Sequence, residues 1–314
     1  ELIPDPSLYN QFSFKGRANT NASLYYGYNI RNISLFGEVA HTLGKGSAVL
    51  IGAQSSLSRA FDVGLLYRAY DTYYVSFFSN ALSEGSHPQN ERGLYQSFRY
   101  RWKKKVVLGV YFDLFEFPWL RYRTYAPSSG HEWLARLDIQ LAKEASLYLQ
   151  FREEKKERNV MSDAQKTVQV LPGTKLSGIV NYVNRIESIQ LHTRIQFSQY
   201  SLNGLSSQGL ALIHDTGYKY GNLFLAWRIA MFDTDDYENR QYVYEDDVYL
   251  NFSLPAYYGQ GIRNNLIVRY RPVSWMTVGF RISNTQYPGV EAIGSGLDRI
   301  SGDQRTDIKF QLVV

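Results

Sequence analysis

The chain has 314 residues, of which 34 are Lys or Arg and 29 Asp or Glu, with no cysteine and a formal net charge of +5. The lack of cysteine excludes disulfides and thiolate metal sites, and no apolar run reaches the ~18 residues of a transmembrane helix. Aromatic residues make up 15% and include 26 tyrosines, while charged residues are held to 20%; this balance suits strands with one face in lipid and aromatic girdles at the interfaces.

Residues 1–21 carry two prolines and only a brief Phe12, Phe14 alternation, and read as an outer loop or strand edge. From there, period-two patterning predicts strands at 23–30, 33–42, 47–57, 61–70, 92–103, 106–115, 132–142 and 145–156. It continues at 174–183, 186–200, 205–219, 222–232, 240–253, 261–271, 274–285 and 305–314. The clearest example sets Ile189, Leu191, Thr193, Ile195 and Phe197 against Ser188, Gln190, His192, Arg194, Gln196 and Ser198. Successive side chains of a strand point to opposite faces, so such a segment puts one row in oil and the other in water. Repetition of this pattern in segments of about ten residues predicts an all-β, antiparallel transmembrane β-barrel of the outer-membrane type.

Connector lengths support the same fold. Short polar turns fall at Arg31-Asn32, Ser58-Arg59, Lys103-Lys104, Lys143-Glu144, Arg185 and Pro272-Val273, and long connectors at 71–91, 116–131, 157–173, 233–239 and 286–304. Short periplasmic turns alternating with longer outer loops are the habit of outer-membrane barrels. Gly44-Lys45-Gly46-Ser47 lacks the earlier glycine of a phosphate loop and reads as a hairpin turn. The charge run from Arg152 to Arg158 continues a strand and reads as its emergence into a solvated outer loop. No linker or composition break divides the chain, so 1–314 is expected to form one barrel domain of about sixteen strands.

If the apolar rows face lipid, the polar rows collect Arg136, Arg152, Arg194, Arg228, Arg269 and Lys309 on the inner side. A charge on the lipid side costs roughly 2–4 kcal/mol at the midplane, so the inward assignment follows. This basic row reads either as a passage for anions, nucleic-acid phosphates included, or as a filled lumen whose arginines pair with Asp138, Asp247, Glu38, Glu187 or in-folded loops. The five histidines show no metal-ligand spacing, and His192 with Ser188 or Ser198 is only a weak outline of a nucleophile and base. The acids Asp233, Asp235, Asp236 and Glu238, and Glu245, Asp246 and Asp247, read as ordinary loop acids ahead of a cation site. No catalytic residue, metal or cofactor is expected.

Three segments carry a resemblance: LYRAYDTYYVSFFSNALSEGSHPQNERGLY at 66–95, NISLFGEVA at 32–40 and FPWLRYRTYAPSSG at 117–130. Together they resemble the barrel portion of Bacteroidota outer-membrane proteins whose N-terminal regions carry helix-hairpin-helix repeats. The resemblance implies a membrane anchor or conduit of an envelope machine, with DNA binding or uptake in a helix-hairpin-helix region, and it makes this chain the C-terminal part of a longer protein with earlier strands. A general or anion-preferring porin and a structural subunit of a larger outer-membrane complex are the alternatives. Arg68, Tyr70, Tyr73, Tyr74, Phe77, Asn80, Glu84, Asn90 and Glu91 match the family pattern, as do Arg121, Tyr122, Arg123 and Tyr125; they read as a loop packed inside the lumen or as a binding surface. Expected partners are outer-membrane lipid and lipopolysaccharide, other outer-membrane or periplasmic proteins, and DNA.

Overall fold

The computed structural model describes residues 7–162 and 167–314. Its first strands are β1 (Asn21–Ile30), β2 (Ile33–Thr42), β3 (Ser47–Ser56), β4 (Phe61–Tyr70) and β5 (Glu91–Trp102). They are followed by β6 (Val106–Phe117), β7 (Ser128–Ala142), β8 (Ala145–Ser162), β9 (Thr167–Ile186) and β10 (Ile189–Leu202). The last are β11 (Leu205–Tyr220), β12 (Leu223–Thr234), β13 (Gln260–Val273), β14 (Met276–Gln286) and β15 (Gln304–Val313). These fifteen strands form one sheet whose order is the order of the chain. Short hairpins make that order possible. Asn203 and Gly204, both with positive φ, join β10 to β11, the conformation that an Asn-Gly hairpin favours. Arg31 and Glu187 take the same left-handed backbone in the β1–β2 and β9–β10 turns.

The chain forms two compact units, one of Glu1–Leu137, Arg152–Lys175 and Ser201–Leu205, the other of Asp138–Phe151, Leu176–Tyr200 and Ser206–Val314. In the first unit, the register sets Ile51 opposite Tyr67, Tyr67 opposite Leu94 and Leu94 opposite Leu114, all on one apolar face. The other face carries Arg68 opposite Gly93 and Tyr95 opposite Asp113. In the second unit, Trp227, Leu266, Ile282 and Ile308 are consecutive partners on the apolar face. Ile267, Arg281 and Lys309 are partners on the polar one. Each unit leaves large apolar side chains exposed on the apolar face, with aromatic residues toward the short turns: Tyr28, Tyr100 and Trp102 in the first, Tyr218, Tyr220, Tyr270 and Trp275 in the second.

Two expectations are corrected. The sheet has fifteen strands instead of sixteen, because 240–253 is not a sheet strand. Over 241–247 that segment alternates in burial, with Gln241, Val243, Glu245 and Asp247 inside and Tyr242, Tyr244 and Asp246 outside, and a turn follows at 248–251; side chains hold most of it in place where a strand would use ladder bonds. Short pairings of 241–242 with 256–257 and of 292–293 with 300–301, and a single bridge between Glu245 and Ser253, occur in the connectors. The second correction concerns the connector expected over 157–173. β8 runs to Ser162 and β9 starts at Thr167, and 163–166 lie outside the described residues. At 18 and 20 residues, these strands exceed the 9–11 that cross a bilayer. The outer part of β8, Arg152 to Asn159, has water-compatible side chains on both faces, and in β9 Leu171, Pro172 and Gly173 follow only a brief alternation of Val168 and Val170, so the sequence pattern is lost there.

A charge on the apolar face tests this assignment. Leu266→Arg is expected to lower the folding free energy in phospholipid vesicles by roughly 2–4 kcal/mol, measured by urea-dependent refolding; a change within 0.5 kcal/mol, about what a neutral surface substitution gives, contradicts it.

Candidate functional site

In each unit a long connector folds onto the polar face of the sheet, and buried charges hold it there. In the first unit the connector is 71–90. Arg68 is fully buried and directs Nε to Glu91 (2.5 Å), Nη1 to Asp113 (2.7 Å) and Nη2 to the other Asp113 oxygen (3.0 Å). The Glu91 carboxylate also accepts from the backbone N–H groups of Glu84 and Gly85. The strand-end carboxylate thus clamps the returning connector to the wall. Gly93, the cross-strand neighbour of Arg68, leaves room for the guanidinium: a Cβ there would lie 2.4 Å from Arg68 Cζ. Tyr70 and Tyr74 close the clamp over Ala40, Ala48 and Ala81, and the Tyr70 hydroxyl donates to the Leu82 carbonyl at 2.7 Å.

The same connector reaches a ladder of alternating charge. Glu84 pairs with Lys156, Lys156 with Glu154 (2.9 Å), Glu154 with Arg152 (2.7 Å), Arg152 with Glu132, and Glu132 accepts from the Tyr111 hydroxyl. Burial pushes the Glu84 carboxyl above its ordinary range even though Lys156 sits against it. Asn90 bonds both ways with the backbone of Trp119.

In the second unit the connector is 235–259. Glu245 is fully buried, takes a bidentate contact from Arg263 (2.9 and 2.8 Å), and is paired with Arg281 as well. Asp247 receives Arg281 Nη1 (2.6 Å) and Lys309 Nζ (2.8 Å). Backbone groups add to this: Arg228 donates to the Tyr244 carbonyl (2.7 Å), Asn265 to that of Asp246 (3.2 Å) and Gln311 to that of Tyr249 (2.8 Å). Arg228 also grips Asp215, which is bonded to His192 (2.9 Å), and His192 reaches Asn181 (2.6 Å). At the other end, Asn239 is buried against Ser198 and Ser207, with Asp236 capping the turn that carries it. A cavity of about 680 Å³ remains in this unit, lined by Arg185, His192, Arg194, Lys219, Arg228, Asp215 and Asp246 among others.

The expected basic row is therefore not short of acids. Arg152, Arg228 and Lys309 are paired with Glu132, Asp215 and Asp247, Arg269 lies 4.0 Å from Asp246 over the Phe224 ring, and Arg136 and Arg194 also have partners. Of the 66–95 candidates, Arg68, Tyr70, Tyr74, Glu84, Asn90 and Glu91 converge on the clamp. Tyr73 and Phe77 are half exposed and pack on Phe12 and Phe14, and Asn80 is exposed. Arg123 adopts φ 62° in a tight turn that joins Arg121 to Thr124, and its carbonyl accepts from Asn159 N–H. His192 forms no pair with Ser188 or Ser198: its ring nitrogens are on Asp215 and Asn181, and Ser198 is bonded to Asn239 and Gln241. Among the described residues no His, Asp and Glu group converges as a metal site. Sequence reasoning passed over Asp113, Glu132, Arg263 and Arg281. The last two share the inward parity of Arg269 and Lys309, and that parity was the available signal.

No family model matches the sequence, and no curated protein matches it. Among solved structures, the chain is similar to a bacterial polysaccharide outer membrane secretin at 9% identity and a TM-score of 0.42, over 95% of this chain and 90% of the other. It is similar to an anion-selective porin from Comamonas acidovorans at 7% identity and a TM-score of 0.40, over 93% and 99%. It is also similar to the ferric citrate transporter FecA at 8% identity and a TM-score of 0.47, over 94% of this chain and 53% of that one.

Removing one member of a buried charge group strands the others. Arg68→Met leaves Glu91 and Asp113 without their counter-charge and is expected to cost about 3–5 kcal/mol in urea refolding. Combining Arg68→Met with Glu91→Gln and Asp113→Leu, which removes both charges and keeps a side-chain oxygen for the Glu84 and Gly85 N–H groups, is expected to recover part of that loss; equal stability of Arg68→Met and the parent contradicts the clamp.

Proposed function

We propose that this chain is a membrane-spanning part of an outer-membrane β-barrel of the bacterial envelope, serving as the anchor or the gated conduit of an envelope assembly. The observation that carries this is the pair of connectors held on the polar face by buried charges: in one unit Glu91, itself paired with Arg68, accepts from the connector backbone, and in the other Glu245 and Asp247 pair with Arg263, Arg281 and Lys309. A general porin needs a polar face left open to solutes, and here the wall cations are spent on acids, those of neighbouring strands for Arg68, Arg152 and Arg228 and those of the connectors for Lys156, Arg263, Arg281 and Lys309. An anion-preferring passage would have to run beside those connectors.

Strand number supports the assembly. Fifteen sheet strands among the described residues is an odd number, whereas single-chain bacterial barrels close with an even number. We infer that at least one further strand, from the parent polypeptide or a partner, completes the membrane unit. DNA handling, which the resemblance to helix-hairpin-helix outer-membrane proteins implies, belongs in this proposal to a helix-hairpin-helix region and leaves the barrel as its anchor.

A specific feature favours a second reading, a wall that contacts another protein. Across the apolar face of the second unit, His214, Asn264, Asn284 and Thr306 fall in one row. Asn284 donates to Thr306 at 2.9 Å, and His214 bonds Thr193 at 2.9 Å. Polar groups in such a position are costly in lipid and favourable against a polar partner.

Planar-bilayer recording of the native-length protein tests the anchored connectors. The wild type is expected to pass little current, and Glu245→Gln with Asp247→Asn to raise the open conductance severalfold by freeing 235–259. A large, steady wild-type conductance equal to that of the variant overturns the proposal.

A further inference from the structure

The best-built chemistry outside those contacts lies in the first unit, where the 71–90 connector meets the 118–127 connector. Arg121 is fixed there by its backbone. Its N–H donates to Thr124 and its carbonyl accepts from Thr124 (2.9 and 3.0 Å), and the buried Thr124 hydroxyl donates to the Glu157 carbonyl (3.1 Å). The guanidinium lies flat on Phe117, with Cζ 3.4 Å from the ring centroid. Arg68, Arg228, Arg263 and Arg281 all reach acceptors; Arg121 Nε and Nη2 are buried and have none.

Those two nitrogens form one edge of the guanidinium, the edge that grips two oxygens of a phosphate or carboxylate side by side. Leaving buried donors unmade is costly, and the nearby acids do not relieve it: Glu84 is committed to Lys156, Glu91 to Arg68, and Glu157 accepts from the Ser129 N–H. Arg158 lines the same cleft. Burial, with the like charge of Arg158, lowers the Arg121 pKa to about 10, so the group is still cationic at neutral pH. The cleft holds about 390 Å³ and is edged by Tyr9, Trp119 and Tyr122, near the lower end of the ~300–1,000 Å³ typical of small-ligand sites.

We propose that this cleft binds an oxyanion, a phosphate or carboxylate group, through the Nε and Nη2 edge of Arg121 with Arg158 as supporting charge. Both nitrogens are sealed from bulk water, so the anion enters by parting side chains at the aromatic rim. Two sources share the chemistry, a soluble phosphate ester and a phosphorylated lipid headgroup.

The test is calorimetric titration of inorganic phosphate into the full chain, folded in a zwitterionic detergent with chloride as the background anion. Saturable binding is expected, at least tenfold weaker in Arg121→Gln, weakened less in Arg158→Gln, and unchanged in Arg59→Gln, which is exposed in the β3–β4 turn. Heat-modifiable gel migration checks folding. If Arg121→Gln fails to fold, Arg121→Lys keeps the charge, loses the paired edge, and is expected to weaken phosphate at least fivefold. Repeating the titration in phosphatidylcholine nanodiscs with and without phosphatidic acid separates the sources: competition by the acidic lipid identifies a headgroup, and its lack a soluble anion. Absence of saturable binding in the wild type, or equal affinity in wild type and the folded Arg121 variant, overturns the site.

Discussion

A guanidinium taken out of water is stable only when a carboxylate and further hydrogen-bond acceptors come with it. On the polar face of each unit that constraint determines where the connectors go. Arg68 lies at the centre of the first unit with Glu91 and Asp113 on its three nitrogens, and Arg263 and Arg281 hold the corresponding place around Glu245 in the second. In the second unit the carboxylates arrive with the connector, so with Glu245 and Asp247 left in solution the wall would bury Arg263 and Arg281 without a counter-charge. In the first, Glu91 and Asp113 belong to β5 and β6, and the connector is held by the Glu84 and Gly85 N–H groups it brings to Glu91 and by Glu84 against Lys156; the reduced polar face follows from both.

The apolar face follows from a different economy. Period-two strands expose Ile51, Tyr67 and Leu114 in the first unit and Trp227, Leu266 and Ile308 in the second, a surface that water penalises and lipid accepts. The register that aligns those rows also aligns the arginines opposite, because a slip of one residue would exchange the two faces. Gly93 shows how tightly the two requirements are joined: a side chain there would displace Arg68 and, with it, the carboxylate that receives the 71–90 connector.

Strand positions were legible in the sequence wherever one face meets an apolar phase and the other a polar one, as in β1 to β6 and β10 to β12, whose expected limits fall within a few residues of the observed ones. Legibility failed where that asymmetry ends. In the outer half of β8, Arg152 to Asn159, both faces are polar, so no alternation marks the strand, and in β9 Leu171, Pro172 and Gly173 break the brief alternation of Val168 and Val170. In 240–253 alternation is present, but its buried row is Val243, Glu245 and Asp247, and a pattern of period two does not say whether the neighbour is a strand or a set of side chains. The basic row was visible from parity, and Asp247, which pairs with Lys309, was among the acids named for it; the pairings of Arg152 and Arg228 were not legible, since Glu132 and Asp215 reach them from other strands. Arg121 stood out only as one of several Arg and Tyr residues in a matching segment; its unpaired edge depends on the three-dimensional placement of Phe117 and Thr124.

The central claim is that 235–259 lies against the polar face of its unit, and a cysteine-free chain allows a direct test. A Cβ built on Gly279 would lie 3.7 Å from Val248 Cβ, within the roughly 3.5–4.5 Å that a disulfide spans. Val248→Cys with Gly279→Cys, oxidised in native outer membranes and mapped by mass spectrometry after proteolysis, should give an intramolecular cross-link in nearly every folded molecule. Folded protein in which both thiols remain free and open to alkylation would show that the connector is not where the buried charges require it.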